Sequence, residues 1–205
     1  YPMGGYGNSF KRWAITVERM GTAKPYNSCG NGSAMRIAPV GWAFETEAET
    51  LDAATVSAEC THNHPEGIKG AQATALCIFL ARNGVPAATI KSRIETEFGY
   101  DLSLSVDEIR PRYSWDGLDG MISGELCQGS VPQAIICALE ATDFEDAVRN
   151  AISIGGDSDT IGCITGGIAE ALFGIPVAIR ERGMQYLSTK LREVVEKFEA
   201  EYGCK

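Results

Sequence analysis

The sequence of 205 residues predicts an all-α fold in a single domain, residues 1–205. Apolar residues recur at the three- and four-residue spacing of helices, and prolines and glycines stand where such runs start and stop. Runs that favour strands are short, and Pro39 interrupts one of them, residues 36–40. Hydrophobic residues make up 44% of the chain and charged residues 22%, which is ordinary for a globular domain with a sizeable core.

Three helices are predicted in the first half of the chain. Residues 47–60 place apolar side chains at helical spacing. Pro65 can open the next helix, because proline is well tolerated in a first turn, and this helix continues to residue 82 before Gly84 stops it. A third helix spans residues 86–98 and also has a proline at its start.

Two further helices are predicted after a less regular segment. Residues 100–129 contain several glycines and are expected to form a loop-rich connection. Val131 and Pro132 are then expected to open a helix. Asp143 is predicted to be the N-cap of the next one, with Asp146 in a position typical of a capping box.

The chain ends in two predicted helices. Small residues fill the first, residues 160–173, and Gly174 ends it. The second spans residues 184–202 and has apolar groups on one side and charges on the other. At the opposite end, residues 1–10 lack an initiator Met and resemble the middle of a Gly-rich loop, so an upstream segment is expected to have been removed.

The net charge of −9 argues against a general nucleic-acid binder, which normally carries a basic excess. No apolar run approaches the eighteen or so residues of a membrane span, and no signal peptide is visible. The chain has an odd number of cysteines without CxxC spacing, and we expect them to be reduced core thiols in a cytoplasmic protein. They are Cys29, Cys60, Cys77, Cys127, Cys137, Cys163 and Cys204.

Two carboxylates and two hydroxyls follow a pair of glycines directly before the predicted helix 160–173. Asp157, Ser158, Asp159 and Thr160 offer hard oxygen donors, which suit Mg²⁺ better than zinc. In a turn where glycines allow unusual backbone angles, these side chains can converge. The alternative is plain N-capping by Asp157 or Ser158, which needs only one such residue.

A second polar segment surrounds Asn31, which has a glycine on each side. Such a turn can present backbone amides to an anionic ligand, and Arg36 could pair with a phosphate or a carboxylate. The alternative is a purely structural turn. No Lys-Ser or Lys-Thr follows the glycines, so the segment is not a P-loop.

Both histidines of the chain, His62 and His64, lie in one segment between helices. An imidazole ring can contact a ligand through its face or its N–H group. The alternative is that the two histidines lie here by chance and that Thr61 or Asn63 caps a helix. Metal binding by the two histidines is disfavoured, because positions two apart before a proline do not share a fixed face.

Taken together, these segments resemble the C-terminal part of the ADP-ribosylglycohydrolase family. Order and spacing agree as well, over nearly the whole chain. The matching pieces are Gly30-Asn31-Gly32-Ser33-Ala34-Met35-Arg36, Thr61-His62-Asn63-His64-Pro65-Glu66-Gly67, Cys127-Gln128-Gly129-Ser130-Val131-Pro132-Gln133 and Gly155-Gly156-Asp157-Ser158-Asp159-Thr160.

The resemblance implies a compact, orthogonal multi-helix bundle with a central cleft that holds two Mg²⁺ ions, with Mn²⁺ as an alternative. It implies hydrolysis of the N- or O-glycosidic bond between ADP-ribose and a protein side chain or small molecule. The implied metal ligands are Asp157, Asp159 and Thr160. The implied ADP-ribose contacts are Ser28, Cys29, Gly30, Asn31, Gly32 and His62.

The sequence departs from the family pattern in two ways. The family's N-terminal segment, with a catalytic acid and a Thr-Asp-Asp metal motif, is absent, so the catalytic residue is unassigned and expected in that segment. Cys29 stands where relatives often carry an aromatic residue that could stack on adenine. Two alternatives to the hydrolase stay open: an inactive ADP-ribose- or nucleotide-binding module, and a structural protein such as the lens crystallins recruited from this family.

A bundle without that segment is expected to leave apolar faces uncovered, such as that of residues 161–173. The chain is therefore expected to form a homodimer, to swap elements or to associate with the missing segment.

Overall fold

A computed structural model describes residues 4–203 of the chain as a helical fold. The helices are α1 (Asn8–Met20), α2 (Gly32–Met35), α3 (Ala38–Ala43), α4 (Glu47–Glu59), α5 (Pro65–Arg82), α6 (Ala87–Phe98), α7 (Val106–Ile109), α8 (Cys127–Leu139), α9 (Phe144–Ser153), α10 (Ser158–Phe173), α11 (Val177–Met184) and α12 (Thr189–Tyr202). Two short parallel strands, β1 (Tyr113–Ser114) and β2 (Ile122–Ser123), pair between α7 and α8. The predicted all-α class is confirmed.

Helices α5, α8 and α10 form the centre of the molecule. α5 packs against α4, α3, α2, α8 and α10, and α10 also packs against α8 and α9. Burial of branched side chains between these helices removes apolar surface from water, which stabilises the fold. The largest fully buried side chains include Leu76, Ile78, Ile135, Ile161, Ile164 and Ile168.

The predicted starts of the first helices are confirmed, and local chemistry explains them. Thr46 and Glu49 form a reciprocal capping box at the start of α4. His64 caps α5, since its Nδ1 atom accepts a hydrogen bond from the amide of Glu66 at 3.1 Å. Asp143 caps α9 as predicted by accepting from the amide of Asp146 at 2.8 Å. The carboxylate of Asp146 accepts instead from Thr142, so no full capping box forms there.

The predicted start of α8 at Val131 is wrong. The helix begins at Cys127, and Pro132 lies inside it. A proline in a helix interior removes one backbone hydrogen bond. Burial of nearly every residue from 127 to 138 compensates for this loss, because α8 lies between α5 and α10. Helix α10 also begins earlier than predicted, at Ser158.

The helix predicted over residues 184–202 starts later, at Thr189, and residues 177–184 form a separate helix that was not predicted. α11 ends at Met184, and α12 starts after Ser188, whose Oγ atom accepts a hydrogen bond from the amide of Leu191. The apolar periodicity continues across this break, which is why the sequence suggested an earlier start.

Three other expectations differ from the structure. A Gly-rich loop was expected over residues 1–10, but only residues 4–7 of its described part are irregular, and α1 starts at Asn8. The run 36–40 leads into helix α3 and forms no strand. Residues 100–129 are irregular as predicted, but they include α7 and both strands. Residues 1–3 lie outside the described part of the chain.

The expected exposure of the α10 apolar face is wrong. Ile161, Ile164 and Ile168 are fully or almost fully buried, whereas Phe173 at the end of the helix is exposed, at 42%. The physical reason is that α5, α8 and α9 cover the helix. The basis for expecting dimerisation through this face is therefore removed.

The cysteines divide into core and surface groups. Cys77, Cys127 and Cys137 are buried free thiols, as predicted, and Cys29 is half-buried. Cys60 and Cys163 are free but exposed, so the prediction of a core position is wrong for these two. Cys204 lies outside the described residues.

Glycines allow very close packing around α8. A Cβ atom at Gly129 would lie 1.8 Å from the carbonyl oxygen of Ser123, and a Cβ atom at Gly70 would lie 2.6 Å from the sulfur of Cys127. The backbone of α8 therefore lies directly against β2, and the Cys127 side chain of α8 lies directly against the backbone of α5. None of the helices within residues 4–203 is both long and apolar enough to cross a membrane.

Candidate functional site

The two polar motifs that the sequence singled out meet in the structure. Asn31 Nδ2 donates a hydrogen bond to Asp157 Oδ2 at 2.5 Å, across 126 positions of sequence. The same nitrogen donates to the carbonyl oxygen of Gly124 at 2.7 Å. One amide therefore joins the loop before α2 to the turn before α10 and to the end of the β2 segment.

The turn before α10 does not place the Asp157 carboxylate as a cap on the amides of that helix. Gly155 and Gly156 adopt left-handed φ angles of 74° and 61°, which glycine tolerates without strain. Asp157 occupies the N-cap position, but its side chain makes no capping hydrogen bond. Plain N-capping by Asp157, the alternative explanation for this motif, is therefore not what the carboxylate does.

The carboxylate of Asp157 is poorly solvated. The residue is 4% exposed, and no ion pair joins it to a Lys or Arg within residues 4–203. Burial raises the pKa of Asp157 to about 6, and the neighbouring Asp159 carboxyl adds to this rise, whereas the hydrogen bond from Asn31 opposes it. The anion at this position thus lacks a counter-cation in the described protein.

The other two predicted metal ligands lie beside Asp157. Thr160 is 6% exposed, and its hydroxyl lies 3.6 Å from the sulfur of Met35. Asp159 is exposed at the start of α10. Residues 4–203 contain no group of three or more His, Cys, Asp or Glu side chains placed to hold a metal, so any further ligands would have to be other oxygen donors or solvent.

The loop that contains residues 28–32 is fixed by backbone contacts. The amide of Gly30 donates to the Ser28 hydroxyl at 3.1 Å. The amide of Asn31 donates to the carbonyl of Glu125 at 3.2 Å, and Gly30 pairs with Leu126 in an antiparallel bridge. Cys29 is half-buried in this loop and has no ring to offer a ligand.

His62 lies directly against the glycines of this loop. A Cβ atom at Gly32 would lie 3.0 Å from His62 Nε2, so a larger residue would collide with the ring. The Nδ1 atom lies 2.7 Å from the Thr61 hydroxyl. Burial, assisted by the charge of Arg36, lowers the pKa of His62 to about 4, so the ring is neutral at pH 7.

Two residues of the predicted motifs have structural roles. Arg36 donates to the carbonyl of Ser57 at 2.7 Å and to the hydroxyl of Thr61 at 3.0 Å, which ties α2 to the end of α4. No ion pair between Arg36 and a carboxylate forms among residues 4–203. His64 caps α5, a role that the sequence had suggested for Thr61 or Asn63.

Two aromatic residues at this site carry no signal in the sequence. Tyr113 on β1 is 3% exposed and packs so closely that a Cβ atom at Gly156 would lie 2.4 Å from its ring. Burial, and then the charge of Asp157, raise the pKa of the Tyr113 phenol. Tyr26 lies 6.0 Å from His62 between ring centroids. Both residues come from irregular segments, where no periodicity marks a functional position.

Comparison with known proteins agrees with the motifs and the fold. The model of the family described as ADP-ribosylglycohydrolase matches residues 3–204. This chain belongs to the ADP-ribosylglycohydrolase family.

Curated relatives of this family member include two animal proteins named ADP-ribosylhydrolase ARH3. The protein from Danio rerio is 30% identical over 188 residues, and the match covers 72% of this chain and 50% of that protein. The protein from Mus musculus is 31% identical over 187 residues, with the same coverage. The chain thus spans about half the length of these relatives.

Two further matches broaden the comparison. The ADP-ribosylarginine hydrolase Tri1 of Pseudomonas putida is 26% identical over 159 residues, which are 73% of this chain and 40% of Tri1. A solved structure described as an ADP-ribosylglycohydrolase-related protein complex superimposes with a TM-score of 0.67 at 26% identity. That match covers 94% of this chain and 66% of the solved one.

Proposed function

We propose that the protein is a Mg²⁺-dependent hydrolase that cleaves the glycosidic bond between ADP-ribose and a modified protein side chain or small molecule. The observation that carries this proposal is the hydrogen bond between Asn31 and Asp157. It brings the glycine-flanked loop and the acidic motif of the family match into one site. The relatives named for this activity support the reaction class.

The loop around residue 30 is proposed to bind ADP-ribose. Ser28, Cys29, Gly30, Asn31 and Gly32 form a backbone-rich surface. Because Gly30 and Gly32 carry no side chain, the Ser28 hydroxyl and the His62 ring can lie close to the main chain there. His62 is proposed to contact the ligand beside this loop as a neutral ring, which can donate or accept a hydrogen bond but adds no charge.

Asp157, Asp159 and Thr160 are proposed to hold Mg²⁺. Their oxygen donors suit this ion, and the buried, unpaired Asp157 carboxylate gains a counter-charge when a cation binds. A bound Mg²⁺ would supply Lewis-acid polarisation and orientation of the ribose hydroxyls. Asn31 positions the carboxylate for this role by holding one of its oxygens.

The reaction adds water across the bond between C1″ of the distal ribose and the target nitrogen or oxygen, and the departing atom gains a proton. Positive charge develops at C1″ as that bond breaks, and nearby carboxylate oxygens stabilise it. Asp157 and Asp159 carry such oxygens. No residue of this chain is assigned as the proton donor.

A second candidate is a module that binds ADP-ribose without cleaving it. The observation in its favour is that the described residues bring together only two carboxylates at the acidic motif, with no third acidic, His or Cys ligand. Cleavage needs a proton donor in addition to a binding loop.

The compartment and the domain organisation are also proposals. The cysteines among residues 4–203 are all free thiols, which supports a reducing compartment such as the cytoplasm. Helix α5 contacts α2, α3, α4, α6, α8 and α10, and α9 contacts α8 and α10. This continuous packing supports one domain.

Calorimetric titration with ADP-ribose tests the binding site and the role of the metal. We expect binding in Mg²⁺ that is lost in EDTA and lost in Asp157→Ala. The matched control is Asp52→Ala, which removes an exposed carboxylate from α4 and should bind normally. If Asp157→Ala binds ADP-ribose as tightly as the natural chain, or if binding persists in EDTA, the assignment of the metal ligands is contradicted.

Release of ADP-ribose from peptides that carry it on serine or arginine then separates the two functions. We expect Mg²⁺-dependent release. Binding without release from any substrate would favour the binding module over the hydrolase.

A further inference from the structure

A cleft of about 480 Å³ lies at the opposite end of α10 from the proposed active site. The helix has 16 residues, so its two ends are about 24 Å apart at the usual helical rise. The cleft is therefore separate from Asp157 and Asn31. The side chains that matter for its chemistry are Trp42, Arg82, Glu170, Phe173 and Tyr202.

Three helices end at this cleft. Its lining includes the last residue and the following cap of α5, α10 and α12, namely Arg82 with Asn83, Phe173 with Gly174, and Tyr202 with Gly203. Each helix C-terminus carries a partial negative charge of about half an electron from its unpaired carbonyl groups. Three such ends give the cleft a negative potential from the backbone alone.

Glu170 adds a full charge to the same wall. The residue lines the cleft, and its carboxylate has neither a hydrogen bond nor an ion pair within residues 4–203. Burial, and then the charge of Glu199, raise the pKa of Glu170, while Arg180 opposes this change. A half-buried carboxylate without a partner is stabilised when a cation binds beside it.

The remaining walls are aromatic. Trp42, Phe173 and Tyr202 line the cleft, and the latter two are each 42% exposed. Aromatic faces attract organic cations, because the ring quadrupole is negative above the ring plane and the alkyl groups gain apolar contact. A small inorganic cation would gain much less from such walls.

Arg82 is the one cation among the lining residues that the structure describes, and its guanidinium already has partners. Its guanidinium donates to the carbonyl oxygen of Phe44 and lies 5.2 Å from the centre of the Phe79 ring. It also stands in the last turn of α5, where a cation offsets the partial charge of that helix end. Glu170 forms no ion pair within residues 4–203, and the charge of Arg180, which bonds Glu199, only partly offsets its surroundings.

We propose that this cleft binds an organic cation, a guanidinium or alkylammonium group, against Glu170 and the aromatic side chains. The group can belong to a free small molecule or to an arginine or lysine side chain of a partner protein. This binding site would be separate from the family motifs around Asn31 and Asp157, which lie at the other end of α10.

Tryptophan fluorescence of the full chain tests the proposal. The chain has three tryptophans, so the double variant Trp13→Phe, Trp115→Phe leaves Trp42 as the sole indole. We expect a saturable change of its emission with methylguanidinium, and none with methylurea, its uncharged analogue. In this background Glu170→Gln should weaken binding at least about tenfold, and Phe173→Leu should weaken it about threefold.

Glu193→Gln is the matched control, because it removes the same charge from an exposed position on α12. It should bind as the parent does, and circular dichroism confirms that each variant is folded. A short peptide with one central arginine is then compared with the same peptide carrying glutamine. Tighter binding of the arginine peptide than of methylguanidinium assigns the site to partner proteins, and the reverse assigns it to small molecules.

Two results would overturn the proposal. One is an equal response to methylurea and methylguanidinium. The other is unchanged affinity in folded Glu170→Gln. Neither result bears on ADP-ribose binding, which depends on residues at the far end of α10.

Discussion

The central helices and the terminal helices of this molecule differ sharply in what they bury. α5 and α8 each contribute eleven buried residues, whereas α1, α11 and α12 contribute none. Yet α1 and α12 have the clearer amphipathic pattern, and α5 is apolar on almost every side. Amphipathic periodicity therefore indicates that a segment is helical, but it does not indicate how much that helix contributes to the core.

A matched pair of leucines tests this difference most strongly. Leu76 on α5 is fully buried, and Leu191 on α12 is 41% exposed. Leu76→Ala should lower the free energy of unfolding by about 4 kcal/mol, because it leaves a cavity in the core. Leu191→Ala should lower it by less than about 1 kcal/mol. Urea unfolding measures both, and similar losses would show that α12 is packed as firmly as α5.

The second test concerns His62, between α4 and α5. Its pKa is lowered to about 4 in the fold from 6.5 for an unperturbed histidine, so the folded state favours the neutral ring. The neutral His62 ring therefore makes its full contribution to the free energy of unfolding above about pH 6.5. This contribution, about 3 kcal/mol in total, is lost as the pH falls towards 4.

The difference in unfolding free energy between the natural chain and His62→Gln, measured from pH 7 to pH 4, isolates this contribution. The glutamine variant should show a flatter profile by about that amount. His64→Ser keeps a capping oxygen at the start of α5 and serves as the control. Parallel profiles for the natural chain and His62→Gln would rule out a buried neutral ring at position 62.

The third test asks whether the central region also contains a site that lowers stability. Asp157 is a buried carboxylate that forms no ion pair with any of residues 4–203. Asp157→Asn should raise the free energy of unfolding in EDTA by about 1 kcal/mol, because it removes a buried charge while keeping the shape. Mg²⁺ should raise the melting temperature of the natural chain and leave the variant unchanged.

Asp52→Asn, on the exposed side of α4, is the corresponding control and should respond to Mg²⁺ as the natural chain does. A variant less stable than the natural chain in EDTA would mean that the hydrogen bond from Asn31 outweighs the burial of the charge.

The smallest effect is expected for two surface ion pairs, one on α6 and one between the terminal helices α11 and α12. Arg93 on α6 bonds both oxygens of Glu47, at 2.9 and 2.6 Å, and also bonds Glu97 at 2.6 Å. Arg180 on α11 pairs only with Glu199 on α12. Arg93→Gln should cost about 1 kcal/mol and Arg180→Gln less than about 0.5 kcal/mol, since exposed pairs contribute little. Thermal unfolding at low salt compares them, and a larger loss for Arg180→Gln would reverse the ranking of the two regions.

The elements that could be predicted from sequence are those with local stop and start signals. Proline at positions 65 and 86 marked α5 and α6, and the boundaries of these helices were correct to within a few residues. Pro132 misled for the same reason, because packing of α8 between its neighbours outweighs the lost hydrogen bond. Helix α1 was missed because the glycines before it dominate the local composition.

At the candidate site, the motifs identified the residues but not their contacts. Asn31 and Asp157 were both singled out from sequence, and their roles stay predictions. The hydrogen bond between them depends on how α2 and α10 pack, which no local pattern encodes. Tyr113 reaches the site from an irregular segment for the same reason.

The close approach of Gly129 to Ser123 also limits how this protein can vary. The φ angle of Gly129 is one that any amino acid can adopt, so helix propensity alone would favour alanine there. The 1.8 Å separation that a Cβ atom would have from the Ser123 carbonyl forbids even that smallest replacement without moving β2. In a library with every substitution at position 129, selection for folded chains should therefore recover glycine alone, although a propensity scale would rank it near the bottom.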